Sequence, residues 1–355
     1  MKQKSNILIL YYELAEYTLA CIRALSQAEN TTIHVVRYPL NKEAPFQFDL
    51  NIPNTTFYSR NELSNNQIKD LVKHLNPEIT YCGGWMDKGY LKAIEGLKKN
   101  GKKVLLAFDN HWRGDIKQII SVELFKLRYK KLFTHCFIPG TPQKEFAKRL
   151  GFNNNEIFEG VYAANTNKFN ELFVNYSNEK KNHFPHIFIY AARYYSFKGI
   201  TDLWEAFTQL KKESPNDWQL WCLGTGDIAP IVHDDIKHYG FVQPDKMEEF
   251  IQKTGVYLLP SRFEPWAVSV HEFAAAGFPL VLSSAVGAKT AFLQSGKNGY
   301  EFKSENIFDL KKCLSEIISK SDPQLIEMGK LSNQLAQKIS PQTWASIFVN
   351  LLSKE

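Results

Sequence analysis

Residues 258–282, LLPSRFEPWAVSVHEFAAAGFPLVL, decide how this chain is interpreted. An apolar run ends at Pro260, a loop follows, and helix-forming residues begin at about Ala267. Gly277 and Pro279 end that helix, because glycine favours helix C-termini and proline cannot continue a helix. The stretch therefore predicts a strand, a loop and a helix, followed by a second apolar strand.

The start of the predicted helix is a candidate anion site. The first-turn N–H groups of Ala267, Val268 and Ser269 lack partners within the helix, and the helix dipole adds positive potential there. A diphosphate suits such a position. Glu264 and Glu272 would be repelled by phosphate, so we expect them to accept hydrogen bonds from sugar hydroxyls. By spacing alone, one helix-stabilising glutamate and one surface glutamate are the simpler interpretation.

The same alternation of strand and helix extends through the whole chain. Strands are predicted at 6–11, 32–37, 78–82, 103–108, 135–138, 156–159, 186–191, 219–223, 237–241, 256–259 and 280–282. Helices are predicted at 16–28, 66–75, 89–99, 117–132, 143–150, 200–212, 246–254, 268–276, 308–320 and 341–352. Alternation of this kind predicts an α/β protein with parallel sheets covered on both faces.

The chain of 355 residues is too long for one ordinary core, so two domains are expected. The polar stretch 174–183, VNYSNEKKNH, is the predicted linker. We therefore predict one Rossmann-like domain at 1–175, a second at 184–338, and a C-terminal helix at 339–355 that returns to the first. Ligands bind at the carboxyl ends of parallel strands, so two such domains would face each other across one ligand cleft.

The motif EPWAVSVHE, with seven residues between Glu264 and Glu272, resembles the signature of family 4 glycosyltransferases of the GT-B fold. The resemblance continues through residues 274–302, AAAGFPLVLSSAVGAKTAFLQSGKNGYEF, including a turn at 298–302. It implies a retaining glycosyltransferase in which the first glutamate contacts the transferred sugar and the second the ribose. One departure is Ala267, where the family usually has glycine, so a methyl group would approach the donor.

Residues 192–199, ARYYSFKG, resemble the family's G-R-x-x-x-x-K-G element, with Ala192 in place of the first glycine. The resemblance implies that Arg193 and Lys198 bind the donor diphosphate. Two fixed cations would stabilise the charge that the leaving group gains. The alternative is an arginine in a structural salt bridge and a solvated lysine at a helix cap.

Two weaker elements resemble other parts of the donor site. LGTGD at 223–227 places Gly224 and Thr225 after a strand, although a single G-x-G is a weak motif. YGFV at 239–242 resembles the base-side loop, which implies that backbone groups near Val242 contact the nucleobase.

In the amino-terminal half, the stretch 104–115, VLLAFDNHWRGD, carries the candidate catalytic residues. Many relatives have histidine at the end of this strand, whereas this chain has Asp109 there, with His111 two residues later. Asp109 would hold a donor hydroxyl or shield positive charge in the transition state, and His111 would bind donor or acceptor. The alternatives are an Asx-turn and a buried, hydrogen-bonded histidine. Trp85 is either a sugar-stacking platform or a core residue.

We expect no metal and no cofactor. Asp234 and Asp235 lack the residue between them that a two-aspartate metal motif requires, and no His/Cys cluster has metal-ligand spacing. The five cysteines are scattered and are expected to be buried, reduced thiols.

The net charge of +6 is too small to indicate nucleic-acid binding. Every apolar run is strand-sized, and the N-terminus lacks the features of a signal peptide, so a cytoplasmic protein is expected. The basic stretch 117–133, KQIISVELFKLRYKKLF, predicts a helix with an apolar and a basic face. Such a helix suits an anionic membrane surface or, alternatively, packs on a sheet as an ordinary solvated helix.

The sequence thus predicts transfer of a sugar from a UDP- or GDP-type donor, with retention, to a glycan or lipid-linked saccharide. A role in bacterial surface polysaccharide synthesis is expected from the family resemblance. Epimerases and phosphorylases of the same fold are alternatives, as is a non-catalytic nucleotide-sugar-binding scaffold, which Ala192 and Ala267 favour.

Overall fold

The computed structural model describes residues 4–39 and 48–353 of the chain. Its strands are β1 (Ser5–Leu10), β2 (Thr31–Arg37), β3 (Thr55–Ser59), β4 (Ile79–Gly83), β5 (Lys103–Ala107), β6 (His135–Ile138), β7 (Ile157–Glu159), β8 (Ile187–Ala191), β9 (Gln219–Leu223), β10 (Ile236–Gly240), β11 (Val256–Leu259), β12 (Leu280–Ser283) and β13 (Gly299–Phe302). Its helices are α1 (Glu16–Ser26), α2 (Asn65–Leu75), α3 (Lys88–Ala93), α4 (Ile116–Arg128), α5 (Lys144–Arg149), α6 (Thr166–Asn182), α7 (Ile200–Glu213), α8 (Met247–Lys253), α9 (Val268–Ala275), α10 (Lys289–Phe292), α11 (Ile307–Ile318), α12 (Asp322–Ala336) and α13 (Pro341–Ser353).

The chain forms two compact units. Unit 1 comprises Met1–Ala163 and Ile339–Glu355, and unit 2 comprises Ala164–Lys338. Each unit has one sheet in which all the paired strands are parallel. The predicted α/β class with two Rossmann-like parallel-sheet domains is confirmed.

Unit 1 has a seven-stranded sheet in the order β3-β2-β1-β4-β5-β6-β7. Leu8 and Leu10 of β1 belong to the core on one face of the sheet, and Ile7 and Ile9 to the core on the other. This follows from the two-residue period of a strand, and it explains why the central strands are continuous apolar runs. Helix α13 covers the second face, where Trp344 lies 6.1 Å from Phe137 between ring centroids.

Unit 2 has a six-stranded sheet in the order β10-β9-β8-β11-β12-β13. Its central strands are buried, and α11 packs against α7 while α12 packs against α9. The carboxyl ends of β8, β9 and β11 therefore lie side by side at one edge, which positions the loops described below.

The predicted linker at 174–183 falls in helix α6 rather than between the units. Asn165 caps this helix by accepting a hydrogen bond from the N–H of Lys168, 3.3 Å away. Phe169 and Leu172 are buried in its first turns, and α6 packs on α9 and α12. The division between the units lies at residues 163–164, just before α6. Because the first half of α6 is buried within unit 2, its polar second half belongs to the same unit.

Other differences have local causes. The short edge strand β3 was not predicted, since its side chains are only partly buried and its alternation is weak. The predicted turn at 298–302 contains strand β13. Gly299 permits this pairing, because a Cβ there would lie 1.8 Å from the carbonyl oxygen of Leu280. Helices α10 and α12 were also missed, and α3 ends at Ala93, six residues before its predicted end.

Candidate functional site

Most of the predicted site residues lie in loops that follow parallel strands of unit 2. Arg193 and Lys198 follow β8, Gly224 and Thr225 follow β9, and Val242 follows β10; Glu264 and Ala267 follow β11, and Val268 and Glu272 lie in α9. Because these strands are parallel, their loops share the carboxyl edge of one sheet, where ligands of such sheets bind.

The central contact of this edge is an ion pair between Lys198 and Glu264. The Lys198 Nζ donates to Glu264 Oε2, and the two side chains are only 20% and 12% exposed. The pair joins two of the elements on which the family resemblance rests. It also means that Lys198 is neither a freely solvated lysine nor only a helix cap.

Close backbone packing holds the two loops that carry this pair. Gly199 has φ +69, and a Cβ there would lie 2.1 Å from the carbonyl oxygen of Pro260. Only glycine avoids both the strained φ and this clash. The N–H of Arg262 also donates to the carbonyl of Phe197 over 2.8 Å. The loop after β8 is thereby fixed against the loop after β11.

A second ion pair, which the sequence analysis missed, braces the glutamate loop. Arg262 donates from Nε to Asp202 Oδ2 over 3.0 Å and from Nη2 to Oδ1 over 2.6 Å. Asp202 is buried in the first turn of α7. Two parallel hydrogen bonds fix orientation as well as distance, so they hold the backbone two residues before Glu264. In the sequence, this ion pair was indicated only by an arginine, Arg262, two residues before the EPWAVSVHE motif.

The turn that carries Arg193 is held by the turn that carries Gly224 and Thr225. The N–H of Tyr194 donates to the carbonyl of Thr225 over 3.0 Å, and the hydroxyl of Tyr190 donates to the carbonyl of Arg193 over 2.8 Å. Gly224 has φ +133, and a Cβ there would lie 2.0 Å from the carbonyl oxygen of Ala192. Gly224 thus allows the two turns to approach.

The first turn of α9 has an unusual start. Ala267 precedes the helix with φ +85 and ψ 95, and no side chain caps the helix there. A positive φ is unfavourable for a residue with a Cβ, so alanine at this position stores backbone strain. The role predicted for the N–H groups at this helix start, donation to an anion, stays a prediction.

The loop before α9 is also fixed from the other side. The N–H of Gly287 donates to the carbonyl of Glu264 over 2.9 Å, and that of Ala288 donates to the carbonyl of Trp266 over 3.0 Å. In α9 itself, Ser269 Oγ accepts from the hydroxyl of Tyr257 over 2.8 Å. The backbone around Glu264 and the start of α9 is therefore preorganised.

His271, next to the half-buried Glu272, anchors α9 to both ends of unit 2. It is fully buried, and its Nδ1 accepts from the N–H of Ala164 over 3.1 Å. Its Nε2 therefore carries the ring proton and donates to the carbonyl of Ala336 over 2.9 Å. The ring also stacks on Phe292, with 4.3 Å between centroids. Nothing in the sequence pattern identified this histidine.

The two remaining candidates, Asp109 and His111, lie in unit 1, in the loop between β5 and α4. Gln143 Nε2 donates to the carbonyl of Asp109 over 3.0 Å. Burial raises the pKa of the Tyr162 phenol well above its ordinary value, and a hydrogen bond to the Asp109 carboxylate raises it further. The Asp109 carboxylate is thus held by a partly buried tyrosine.

His111 is half-buried in the same loop. Burial lowers its pKa, the neighbouring Arg113 lowers it further, and Asp109 opposes both effects. The net direction favours the neutral ring, which can accept or donate a hydrogen bond. Its backbone carbonyl accepts from Gln118 Nε2 over 2.8 Å, which ties the loop to α4.

Trp85 packs into the core of unit 1. Its ring centroid lies 5.2 Å from that of Phe125 and 5.9 Å from that of Phe108. Of the two interpretations of Trp85 offered by the sequence, the structure supports the core residue.

All five cysteines are free and buried, as predicted. Burial raises the pKa of the Cys82 thiol to about 12, so that thiol is unreactive at neutral pH. Within residues 4–39 and 48–353, no group of three or more His, Cys, Asp or Glu side chains is arranged to hold a metal ion. In the same ranges, no helix has both the length and the apolar character needed to cross a membrane.

Comparison with known proteins gives a family match inside unit 2. Residues 185–320 match the family model described as Glycosyl transferases group 1. The chain is also 27% identical over 232 residues to N,N'-diacetylbacillosaminyl-diphospho-undecaprenol alpha-1,3-N-acetylgalactosaminyltransferase of Campylobacter jejuni. That alignment covers 59% of this chain and 57% of the relative, so the chain matches little more than half of that protein. These similarities support assignment to the GT-B glycosyltransferase superfamily.

Solved structures share the fold over the whole chain. The trehalose-6-phosphate structure from E. coli, bound with UDP-2-fluoro glucose, has a TM-score of 0.72 at 11% identity and covers 99% of both chains. Anabaena Alr3699/HepE in complex with UDP has a TM-score of 0.72 at 12% identity, covering 99% of this chain and 100% of that one. At these identities the likeness shows the fold, which is of the GT-B type.

Proposed function

We propose that this protein is a retaining glycosyltransferase of family 4 that uses a UDP- or GDP-type sugar donor. The observation that carries the proposal is the Lys198–Glu264 ion pair at the carboxyl edge of the unit 2 sheet. Beside it lie the braced turn of Arg193 and the uncapped start of α9. Cations, free backbone donors and carboxylates at one strand edge suit a diphosphate that is joined to a sugar.

In this proposal the diphosphate is bound by Arg193, Lys198 and the N–H groups of Ala267 and Val268. The leaving nucleoside diphosphate gains negative charge as the bond to the sugar breaks. Preorganised donors of this kind each contribute about 3 kcal/mol to transition-state stabilisation. Because the two cations and the helix start supply this charge, we propose that the reaction needs no divalent metal and no cofactor.

The carboxylates recognise hydroxyl groups. Glu264 binds hydroxyls of the transferred sugar, and Glu272 binds the ribose diol. Gly224 and Thr225 line the donor site from the turn after β9, and the backbone near Val242 contacts the base. From unit 1, Asp109 and His111 are our candidates for the chemistry at the sugar.

We propose that retention of configuration arises from attack on the same face of the sugar as the departing nucleoside diphosphate. The bond between the anomeric carbon and the diphosphate oxygen breaks, and the acceptor oxygen bonds to the same face of that carbon. The acceptor proton passes to the departing phosphate oxygen. The departing phosphate oxygen thus acts as the base for the acceptor hydroxyl, so this mechanism needs no general base from a side chain.

We further propose a glycan or lipid-linked saccharide as the acceptor, in bacterial surface polysaccharide synthesis on the cytoplasmic side. The Campylobacter relative carries a diphospho-undecaprenol acceptor in its name, which supports the lipid-linked class. The UDP in the HepE structure supports a uridine donor over the guanosine alternative.

The proposal is tested by the thermal stability of the protein with UDP, GDP, ADP or CDP, each with and without magnesium. We expect one nucleotide to raise the melting temperature equally in both conditions. Stabilisation that requires magnesium would contradict the metal-free site, and a lack of stabilisation by all four would contradict the donor site.

The strained alanine at 267 favours one alternative, a non-catalytic binder of nucleotide sugars. Slow donor hydrolysis without acceptor distinguishes the two functions. We expect release of free nucleotide from the matching UDP- or GDP-sugar by the wild-type protein. Tight donor binding with no release of nucleotide would favour the binder.

A further inference from the structure

Helix α4 has two apolar faces, of which residues 4–39 and 48–353 cover only one. Gln118, Val122 and Phe125 face the core of unit 1 and are buried. The apolar side chains on the other side are exposed: Ile116 by 75%, Leu127 by 77%, Ile120 by 55%, Ile119 by 48% and Leu124 by 45%. A helix on the surface of a soluble protein normally has one apolar stripe, so the second stripe needs an explanation.

The exposed side chains form one continuous stripe. At about 100° per residue, Ile116, Ile120, Leu124 and Leu127 fall within one narrow sector of the helix, roughly opposite the buried Val122. Isolated exposed apolar residues are common, but a contiguous row over three helical turns marks an interaction surface.

Basic side chains border this stripe on both sides. Lys117 and Arg128 lie along one margin and Lys126 along the other, and all three are exposed. Glu123 lies on the exposed face itself, between Ile119 and Ile116, and its carboxylate pairs with Lys126 over 2.8 Å. Residues 116–131 contain five basic side chains and one acidic one.

Of the two basic residues that follow the helix, Lys131 is exposed and Lys130 is half-buried. Lys130 pairs with Glu156 over 3.7 Å, and its Nζ lies 4.3 Å from the centre of the Phe152 ring. Because Lys126 also has an acidic partner, the positive charges that remain for a partner molecule are those of Lys117, Arg128 and Lys131.

We propose that this face of α4 is the site at which the protein docks on an anionic lipid bilayer. The apolar stripe would enter the boundary between headgroups and acyl chains, while the flanking cations contact lipid phosphates. A second copy of the chain is a poorer occupant, because the basic margins of two such helices would repel each other. The docking does not depend on the donor chemistry, but it would bring the enzyme to a lipid-linked acceptor.

The test is co-sedimentation of the full-length protein with vesicles of equal parts phosphatidylglycerol and phosphatidylcholine, or of phosphatidylcholine alone. We expect binding to the anionic vesicles at low salt that weakens at high salt, and little binding to neutral ones. Replacing Ile120 and Leu127 together by Glu should reduce binding at least about tenfold. Val232→Glu, at an exposed apolar residue of unit 2, is the matched control and should bind as the wild type does.

Replacing Lys117 and Arg128 by Ala should reduce binding to anionic vesicles about tenfold or more, since each cation near the surface contributes to the attraction. Lys212→Ala, at an exposed lysine of unit 2, serves as its control. All variants must unfold at the wild-type temperature. No binding by the wild type, or unchanged binding by Ile120→Glu/Leu127→Glu, would overturn the proposal.

A second measurement, of fluorescence from a label on the stripe, does not require a charged residue in place of an apolar one. Because the five native cysteines are buried, Leu127→Cys can be labelled selectively with an environment-sensitive fluorophore. Anionic vesicles should shift its emission to the blue. If a dimer in solution gives the same shift without vesicles, the stripe pairs two copies and membrane docking is wrong.

Discussion

Lys198 and Glu264 form an ion pair across 66 residues of sequence, and both side chains are largely buried. The contact places a cation that suits a phosphate beside a carboxylate that suits a sugar hydroxyl. In a nucleotide sugar these two chemical groups are joined by the bond that a glycosyltransferase breaks. The pair is therefore the first place to test the proposed reaction.

Lys198→Ala removes the cation from the proposed leaving group. We expect turnover to fall about 100- to 1,000-fold, as for the loss of one preorganised donor in a dry site. Steady-state kinetics with the donor identified by thermal shift would measure the loss. Lys311→Ala is the control, since Lys311 also forms an ion pair, at 2.6 Å from Glu213, and is well covered. Equal turnover in the two variants would show that Lys198 has no role in the reaction.

The two glutamates should separate binding from chemistry. Glu264→Gln should reduce turnover about 100-fold while nucleotide affinity changes little, because Glu264 is proposed to contact the sugar. Glu272→Gln should weaken nucleotide affinity about tenfold, because a hydrogen bond from a ribose hydroxyl to a charged group is lost. Calorimetric titration with the free nucleotide, beside turnover, measures both. If the effects are reversed, the roles of the two residues must be exchanged.

Ala267→Gly should stabilise the protein. A left-handed φ costs a non-glycine residue about 1–2 kcal/mol, whereas the extra chain entropy of glycine costs about 0.5–1 kcal/mol. The net gain is about 0.5–1 kcal/mol, which denaturant unfolding can detect. Ala288→Gly is the control, because Ala288 has φ −62 and should lose stability on the same change. A loss of stability in both variants would mean that Ala267 is not strained.

The stability of unit 2 should depend on pH through His186. This side chain lies between Asp217, 3.0 Å from Nδ1, and Asp322, 2.9 Å from Nε2. Burial lowers its pKa, but the two carboxylates raise it more, so the net shift is upward. The folded pKa then exceeds the unfolded value of about 6.5. The resulting stabilisation is complete below that unfolded value and is lost as pH rises through the folded pKa.

His186→Gln should therefore unfold at lower urea concentration than the wild type near pH 6, and the difference should shrink as pH rises. His183→Gln, at an exposed histidine three residues earlier, is the comparison. A difference between His186→Gln and wild type that stays constant with pH would show that packing, and not protonation, is responsible.

Much of the fold could be predicted from sequence because buried parallel strands are short, continuous apolar runs. Strand β3 was not predicted, because the side chains of an edge strand are half-exposed and their alternation of apolar and polar residues is less regular. Helix α6 was not predicted for a different reason. Its first half is buried, but its second half has the polar composition of a linker, and only contacts with α9 and α12 distinguish the two.

The candidate site could be predicted as a set of loops but not as a set of contacts. Residues that follow parallel strands must meet at one edge, so Arg193, Lys198 and Glu264 were expected there. That Lys198 pairs with Glu264, or that Arg262 pairs with Asp202, depends on the distance between two loops. That distance is set by packing around Gly199, which a pattern of residue types does not encode.

His271 has a consequence for how this protein can be rearranged. One imidazole is bonded to Ala164, the first residue of unit 2, and to Ala336, two residues before its last. The two ends of unit 2 therefore lie close together. Domains whose termini are neighbours tolerate insertion into another chain and circular permutation. We therefore expect that unit 2, together with the donor specificity that we propose for its loops, can be exchanged as one piece if His271 is kept.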